Sequence, residues 1–169
     1  MKEQLANDDF IALVEANKGI IIKICNSYCA DKNYREDLAQ EIIYALWKSG
    51  KSFQQGYKFS TWMYRIALNV AISHYRKEKN KTALIVDAEM PADIEDISGT
   101  GDGMDKHISD LQALINEMNA LDRALMILYL DANSYAEIAE VLGISETNVA
   151  TKLSRIKSRL KQQLSSLNQ

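Results

Sequence analysis

Near the end of the 169-residue chain, Thr147, Asn148, Thr151, Ser154, Arg155 and Ser158 recur at spacings that bring short polar groups to one side of a helix. Lys152, Lys157, Arg159 and Lys161 flank them. Hydroxyl and amide groups can reach base edges in a major groove while flanking cations meet phosphates. The helix N-terminus can take a phosphate as well. A second group, Trp62, Arg65, Asn69 and Arg76, shares one helical side and follows the polar, aromatic stretch Phe53–Ser60, which includes Tyr57 and Lys58. Aromatics that stack on bases beside Arg and Lys suit single-stranded nucleic acid, although aromatics at helical spacing also build cores. A third group, Asp37, Gln40, Glu41, Tyr44, Trp47 and Lys48, mixes carboxylates with large aromatics. It reads equally as a partner-binding face or as a solvated face with Trp47 turned inward.

The elements that must position these groups are helices. One Pro and 7 Gly in 169 residues disfavour a turn-rich β fold, and 47% apolar residues suffice for a core. The reading is all-α: two small helical domains joined by a flexible acidic linker, the second domain a helix-turn-helix. Residues 1–80 form the first, 81–106 the linker and 107–169 the second. Charge follows this division: 12 basic and 9 acidic residues in 1–80, 2 and 7 in 81–106, 6 and 7 in 107–169. The net charge of −3 thus averages a basic front, an acidic middle and a C-terminal helix with five cations and no acid beyond Glu146.

In the first domain, Asp8 or Asp9 is expected to cap a helix opening at Phe10. A second helix covers Gly19 to Cys29. A third runs from about Asn33 to Ser49 with Gly50 as its stop. A long helix starts at Ser60 as N-cap and ends near Lys79, burying Phe59, Met63, Ile66, Ala67 and Val70 and leaving Trp62 exposed. In the second domain, helices are expected over about Ile108–Met118 and over Leu121–Tyr129. Then Ser134 and Glu137 form a capping box, Gly143 leaves the helix with positive φ, and Ser145 caps the last helix. Val149, Leu153, Ile156 and Leu160 dock that helix inward.

Other chemistries find little footing. Cys25 and Cys29 share a helical face, but with only two His in the chain a zinc site lacks ligands, and buried, inert thiols are expected. No cofactor or metal is expected. No G-x-x-x-x-G-K-[ST], H-E-x-x-H or G-x-S-x-G motif is present, so the protein is not read as an enzyme. No apolar run approaches a membrane span and "MKEQLANDDF" lacks the apolar region of a signal peptide, so a cytoplasmic protein without membrane insertion is expected.

Three blocks together resemble a bacterial RNA polymerase sigma factor of the sigma-70 superfamily, in the extracytoplasmic-function (ECF) group. "REDLAQEIIYALWKS" resembles the core-polymerase-binding helix. "KFSTWMYRIALNVAISHYRK" resembles the segment that melts and reads the minus-10 element. "LDRALMILYLDANSYAEIAEVLGISETNVATKLSRIKSRL" resembles the minus-35-reading domain. The resemblance implies a protein that directs RNA polymerase to promoters and promotes DNA melting. Its partners would be core polymerase, through the β′ coiled coil and the β subunit, promoter DNA, and an anti-sigma factor.

Carried over by residue, Asp37, Gln40, Glu41 and Trp47 would dock on polymerase. Phe53, Tyr57, Lys58, Ser60, Trp62, Arg65, Asn69 and Arg76 would serve the minus-10 element. Thr147, Asn148, Thr151, Lys152, Ser154, Arg155 and Arg159 would serve the minus-35 element. Leu68 and Ser73 stand where many members carry Arg and Asp, and Ala150 where Lys or Arg is frequent, which implies fewer phosphate contacts. The acidic linker, with Asp93, Glu95 and Asp96, is expected to compete with DNA in the free protein. The competing reading is a helix-turn-helix regulator that binds duplex DNA without polymerase; an interaction module that binds no DNA is a further one.

Overall fold

A computed structural model describes residues 7–54, 56–84 and 103–167, and among them every regular element is helical. The order is α1 (Asn7–Ala16), α2 (Lys18–Tyr28), α3 (Lys32–Ser49), a 3-10 turn (Gly50–Ser52), α4 (Phe59–Leu84), then α5 (Gly103–Asn116), α6 (Ala120–Leu130), α7 (Tyr135–Leu142) and α8 (Glu146–Leu167). The helices α4 and α5 thus extend into both ends of the 81–106 stretch read as linker. Asp93, Glu95 and Asp96 lie outside the described residues.

In the first domain α2, α3 and α4 pack against one another around Ile24, Leu38, Ile42, Leu46, Met63 and Ala67, none more than 1% exposed. Leu68 belongs to this core. Its apolar side chain therefore fills the interior and does not mark a lost cation on a DNA face. Helix α1 lays Phe10 over the end of this core, edge-on to Trp47, Phe59 and Trp62 at ring-centre distances of 6.0–6.1 Å. Both cysteines are buried, and burial pushes the Cys25 thiol up to about 11, so it stays protonated and unreactive.

Several expected helix ends shift. Asp8 and Asp9 sit in the first turn of α1 rather than before it, where their charge suits the helix dipole. Asp31 caps α3, its carboxylate accepting the Asn33 N–H at 2.9 Å. Gly50 ends α3 with right-handed φ −57° and leads into the 3-10 turn. What it lacks there is a side chain: a Cβ would stand 3.0 Å from the Phe10 ring. Ser60 lies inside α4, which begins at Phe59 with the Lys58 carbonyl accepting the Trp62 N–H, and α4 runs five residues past the expected Lys79.

The second domain is built on α6, in which Ala124, Leu125 and Leu128 are fully buried and pack with Ile138 of α7 and Val149 and Leu153 of α8. The α7–turn–α8 unit forms as the local signals dictate. Ser134 and Glu137 make the reciprocal capping box, Gly143 has φ 68°, and Ser145 Oγ accepts the Asn148 N–H at 3.1 Å. Val149, Leu153, Ile156 and Leu160 are all buried, which fixes the rotation of α8 about its axis.

The two domains touch. Helices α2 and α4 of the first meet α5, α6 and α7 of the second. The Tyr28 hydroxyl donates to the Ala120 carbonyl at 2.7 Å, and the buried Arg123 guanidinium donates to the Ser27 carbonyl at 2.7 Å.

Candidate nucleic-acid and polymerase interfaces

Because the buried stripe of α8 is fixed inward, its opposite face is fixed outward. Thr147, Asn148, Thr151, Ser154, Arg155 and Ser158 are all exposed. The Thr151 hydroxyl donates to the Thr147 carbonyl at 3.0 Å. Its oxygen is left as an acceptor, which matches the exocyclic amino groups of adenine or cytosine. Arg155 forms no ion pair among the described residues, so its fork is free for a base edge or phosphate.

The flanking cations differ among themselves. Lys152 is half-buried. Arg159 reaches Asp122 of α6 at 3.4 Å. Lys157 lies 3.9 Å from the centre of the Tyr129 ring, and its ammonium pKa is raised, first by the Tyr129 hydroxyl. Lys157 therefore helps dock α8 on α6, a role that helical spacing alone does not separate from phosphate binding.

On α4, Arg65, Asn69 and Arg76 are exposed along one face, and Tyr57 and Lys58 are exposed in the loop before it. Trp62 departs from the exposed position expected of it. It is half-buried in a cluster with Phe53, itself half-buried, and Phe59, at ring-centre distances of 5.3 Å to each. Phe10 completes this cluster, so Trp62 is held by rings from α1, the loop and its own helix. Tyr57, 62% exposed, is the aromatic most open to a base. Ser60 is partly buried, and the Thr61 hydroxyl beside it is buried without a hydrogen-bond partner. The loop and α4 form one wall of an open cleft of about 600 Å³; Glu137, Glu140 and Val141 of α7 form the other.

On α3, Asp37, Gln40, Glu41 and Trp47 are all exposed, in line with the partner-binding alternative left open by the sequence. Trp47 is 51% exposed, with only its edge against Phe10. Tyr44 at 67% and Ile43 at 49% extend the same apolar face. Ile43 was absent from the expected set. The signal was available: Ile42 is core, and its chain neighbour on a helix must point about 100° away.

The chain matches the family models for sigma-70 region 2 over residues 13–81 and for sigma-70 region 4 over residues 108–160. It is 32% identical to the ECF RNA polymerase sigma factor SigW of Bacillus subtilis, over 95% of this chain and 91% of that one. It is 28% identical to the ECF RNA polymerase sigma factor SigM of the same organism, covering 80% and 82%. Among solved structures, the fold resembles the sigma factor RpoE in complex with the anti-sigma factor NepR from Bartonella quintana, with a TM-score of 0.69, 21% identity and coverage of 94% and 95%. It also resembles CnrH in complex with the cytosolic domain of CnrY, with a TM-score of 0.68, 18% identity and coverage of 95% and 90%. By the match of both regions in this order, and by its likeness to SigW along nearly the whole length, the chain belongs to the extracytoplasmic-function sigma factors of the sigma-70 family.

Proposed function

We propose that this sigma factor uses three separate faces to bring RNA polymerase to its promoters and open them. The α3 face with Asp37, Gln40, Glu41 and Trp47 docks on core polymerase. The loop and α4 face, with Phe53, Tyr57, Lys58, Ser60, Trp62, Arg65, Asn69 and Arg76, take the non-template strand of the minus-10 element as it melts. The outer face of α8, with Thr147, Asn148, Thr151, Lys152, Ser154, Arg155 and Arg159, reads the minus-35 duplex. The first domain, 1–80 with α4 continuing to Leu84, serves polymerase and the minus-10 element, and the second, 107–169 with α5 beginning at Gly103, serves the minus-35 element. Separating single-strand and duplex recognition onto different domains matches what each face offers, an aromatic with cations on one and short polar groups on the other.

The observation that carries this reading is the orientation of α8. Its polar face points outward because four buried aliphatic residues hold its other side, and the capped, glycine-ended turn sets its angle to α7. The protein performs no catalysis itself; the chemistry belongs to polymerase. It acts in the cytoplasm, and no described helix is long and apolar enough to cross a membrane. An anti-sigma factor is its regulator, as NepR and CnrY are partners of the two sigma factors of similar fold.

The test is transcription in vitro with core polymerase and genomic DNA of the source bacterium. Defined RNA 5′ ends that need both core polymerase and this protein are expected. Arg155→Ala should weaken these starts while leaving binding to core polymerase intact. Tight duplex binding by the protein alone, with polymerase unresponsive, would instead favour the regulator.

A further inference from the structure

Four aliphatic side chains decide which side of α8 faces inward, but apolar contact is non-directional and resists a small swing of the helix only weakly. The angle of α8 to α7 is set at one end by the short turn through Gly143 and Ser145. The reading residues start just past that turn with Thr147 and end with Arg155, about 14 Å along the helix from Glu146. A swing of about 5° about the turn moves Arg155 by about 1 Å and Thr147 by about a tenth of that. A shift of about 1 Å takes a hydrogen bond to a base edge out of range. The turn alone therefore serves the first reading residues better than the last.

A second restraint stands just beyond Arg155. The Lys157 ammonium lies 3.9 Å from the ring centre of Tyr129, in the last turn of α6. Tyr135, the first residue of α7, also favours the charged ammonium, after Tyr129. Lys157 thus ties the middle of α8 to the junction of α6 and α7, and Gly143 closes the other end of α7. The opposite margin of α8 is held as well. Arg159, about 200° round the helix from Lys157, reaches Asp122 at 3.4 Å. That carboxylate is itself fixed, because the Asn119 side-chain amide donates to it at 3.2 Å and the Asp122 N–H donates back to Asn119 at 2.9 Å.

We infer that Lys157, Tyr129 and Tyr135 form a strut that fixes the angle of α8 on α7, and that they are positioning residues for minus-35 recognition acting through Arg155. The inference rests on the assignment of the outer face of α8 under the proposed function. The strut lies beyond Arg155 and the turn lies before Thr147, so the effect of losing the strut is graded along the helix. Base pairs read by Arg155 lose discrimination, and those read by Asn148 keep it. Two other roles for Lys157 predict differently. A phosphate contact would lower affinity for all sequences alike and flatten the salt dependence. A merely stabilising contact would lower the melting temperature and leave discrimination as it is.

The experiment uses the full chain bound to core polymerase, on a promoter mapped by transcription and with each minus-35 base pair substituted in turn. Arg155→Ala and Asn148→Ala first identify the base pairs that each residue reads. Lys157→Met then keeps the stem and removes the charge, while Tyr129→Leu keeps an apolar filling and removes the ring. In both, discrimination at the Arg155 base pairs should fall about three- to tenfold and stay within about twofold of wild type at the Asn148 base pairs. The double variant should be no worse than either single one, since both break the same contact. Lys157→Arg should match wild type, because a cation remains over the ring. The slope of log affinity against log salt should not change. A slope flatter by about one in Lys157→Met, with discrimination intact, would make Lys157 a phosphate contact and overturn the strut. Equal loss at both sets of base pairs, or loss at neither, also overturns it. Lys157 is exposed, so Lys157→Met decides the question even where Tyr129→Leu does not fold. If Arg155→Ala and Asn148→Ala leave every minus-35 preference unchanged, the assignment of α8 itself fails and the strut falls with it.

Discussion

Two residues with left-handed backbone flank α7, and only one of them is glycine. Gly143 ends α7 at φ 68°, while Ala132, in the turn that presents Asp131, has φ 59°. A Cβ at Gly143 would meet nothing within 4 Å, so the cost of adding one is purely conformational. Gly143→Ala should therefore destabilise the second domain by about 1 kcal/mol. Ala132→Gly should relieve the same strain and stabilise it by up to about 1 kcal/mol, less the extra freedom glycine gains when unfolded. Urea titration followed by far-UV ellipticity checks both. Equal destabilisation by the two changes would mean that backbone conformation does not govern these turns. Gly143 was legible in the sequence because its signal is local: a capped apolar period, then glycine. Ala132 was not, because nothing in "LDANS" demands positive φ until Asn133 folds back, its side-chain amide donating to Leu128 at 3.0 Å.

At the scale of the element, α3 separates folding from docking by the side of the helix on which a residue lies. Leu38, Ile42 and Leu46 hold the core, while Trp47 and Tyr44 stand outward. Trp47→Ala should cost at most about 1 kcal/mol of stability, since half the side chain is already in water. It should nevertheless weaken binding to core polymerase by about 2 kcal/mol or more, the scale of an aromatic hot spot. Phe10→Ala should behave in the opposite way, losing about 3–5 kcal/mol of stability because its ring is buried against Trp47, Phe59 and Trp62. Thermal unfolding and a binding titration on immobilised core polymerase measure the two effects. Comparable polymerase affinity for Trp47→Ala and wild type would remove α3 from the docking surface. The core side of α3 could be read from its period. The half-burial of Trp62 could not, since it depends on Phe10 arriving from another helix.

At the scale of the whole molecule, the seam between the two domains was invisible in the sequence because its partners are far apart in the chain. Arg123 and Ser27 are 96 residues apart, and Lys23 and Asp131 are 108. Residues 85–102, between the described parts of the two domains, carry no motif that fixes the domains' placement. The seam has a pH dependence whose sign follows from two carboxylates. Burial raises the Asp131 carboxyl, but hydrogen bonds from Lys23 and Tyr64 and the nearby Lys58 outweigh it, and the net shift is below the ordinary 3.8. Glu137 is lowered below its ordinary 4.5 first by the Ser134 N–H of its own helix cap and only then by Lys58 of the other domain, so Asp131 carries more of the dependence of the contact between the domains and Glu137 less. Both groups are depressed in the folded state, so their stabilisation is fully present above those ordinary values and fades as pH falls through the lowered ones. Acid should therefore part the domains, and the buried aliphatic cores, which carry no charge, should outlast the seam. On titration from pH 7 towards about 3, the radius of gyration from small-angle scattering should rise before far-UV ellipticity falls. Lys23→Asp should already be expanded at neutral pH and lose that first step. Simultaneous change of both signals in the wild type would mean that the domains and their seam unfold as one unit, and that these carboxylates do not control the opening.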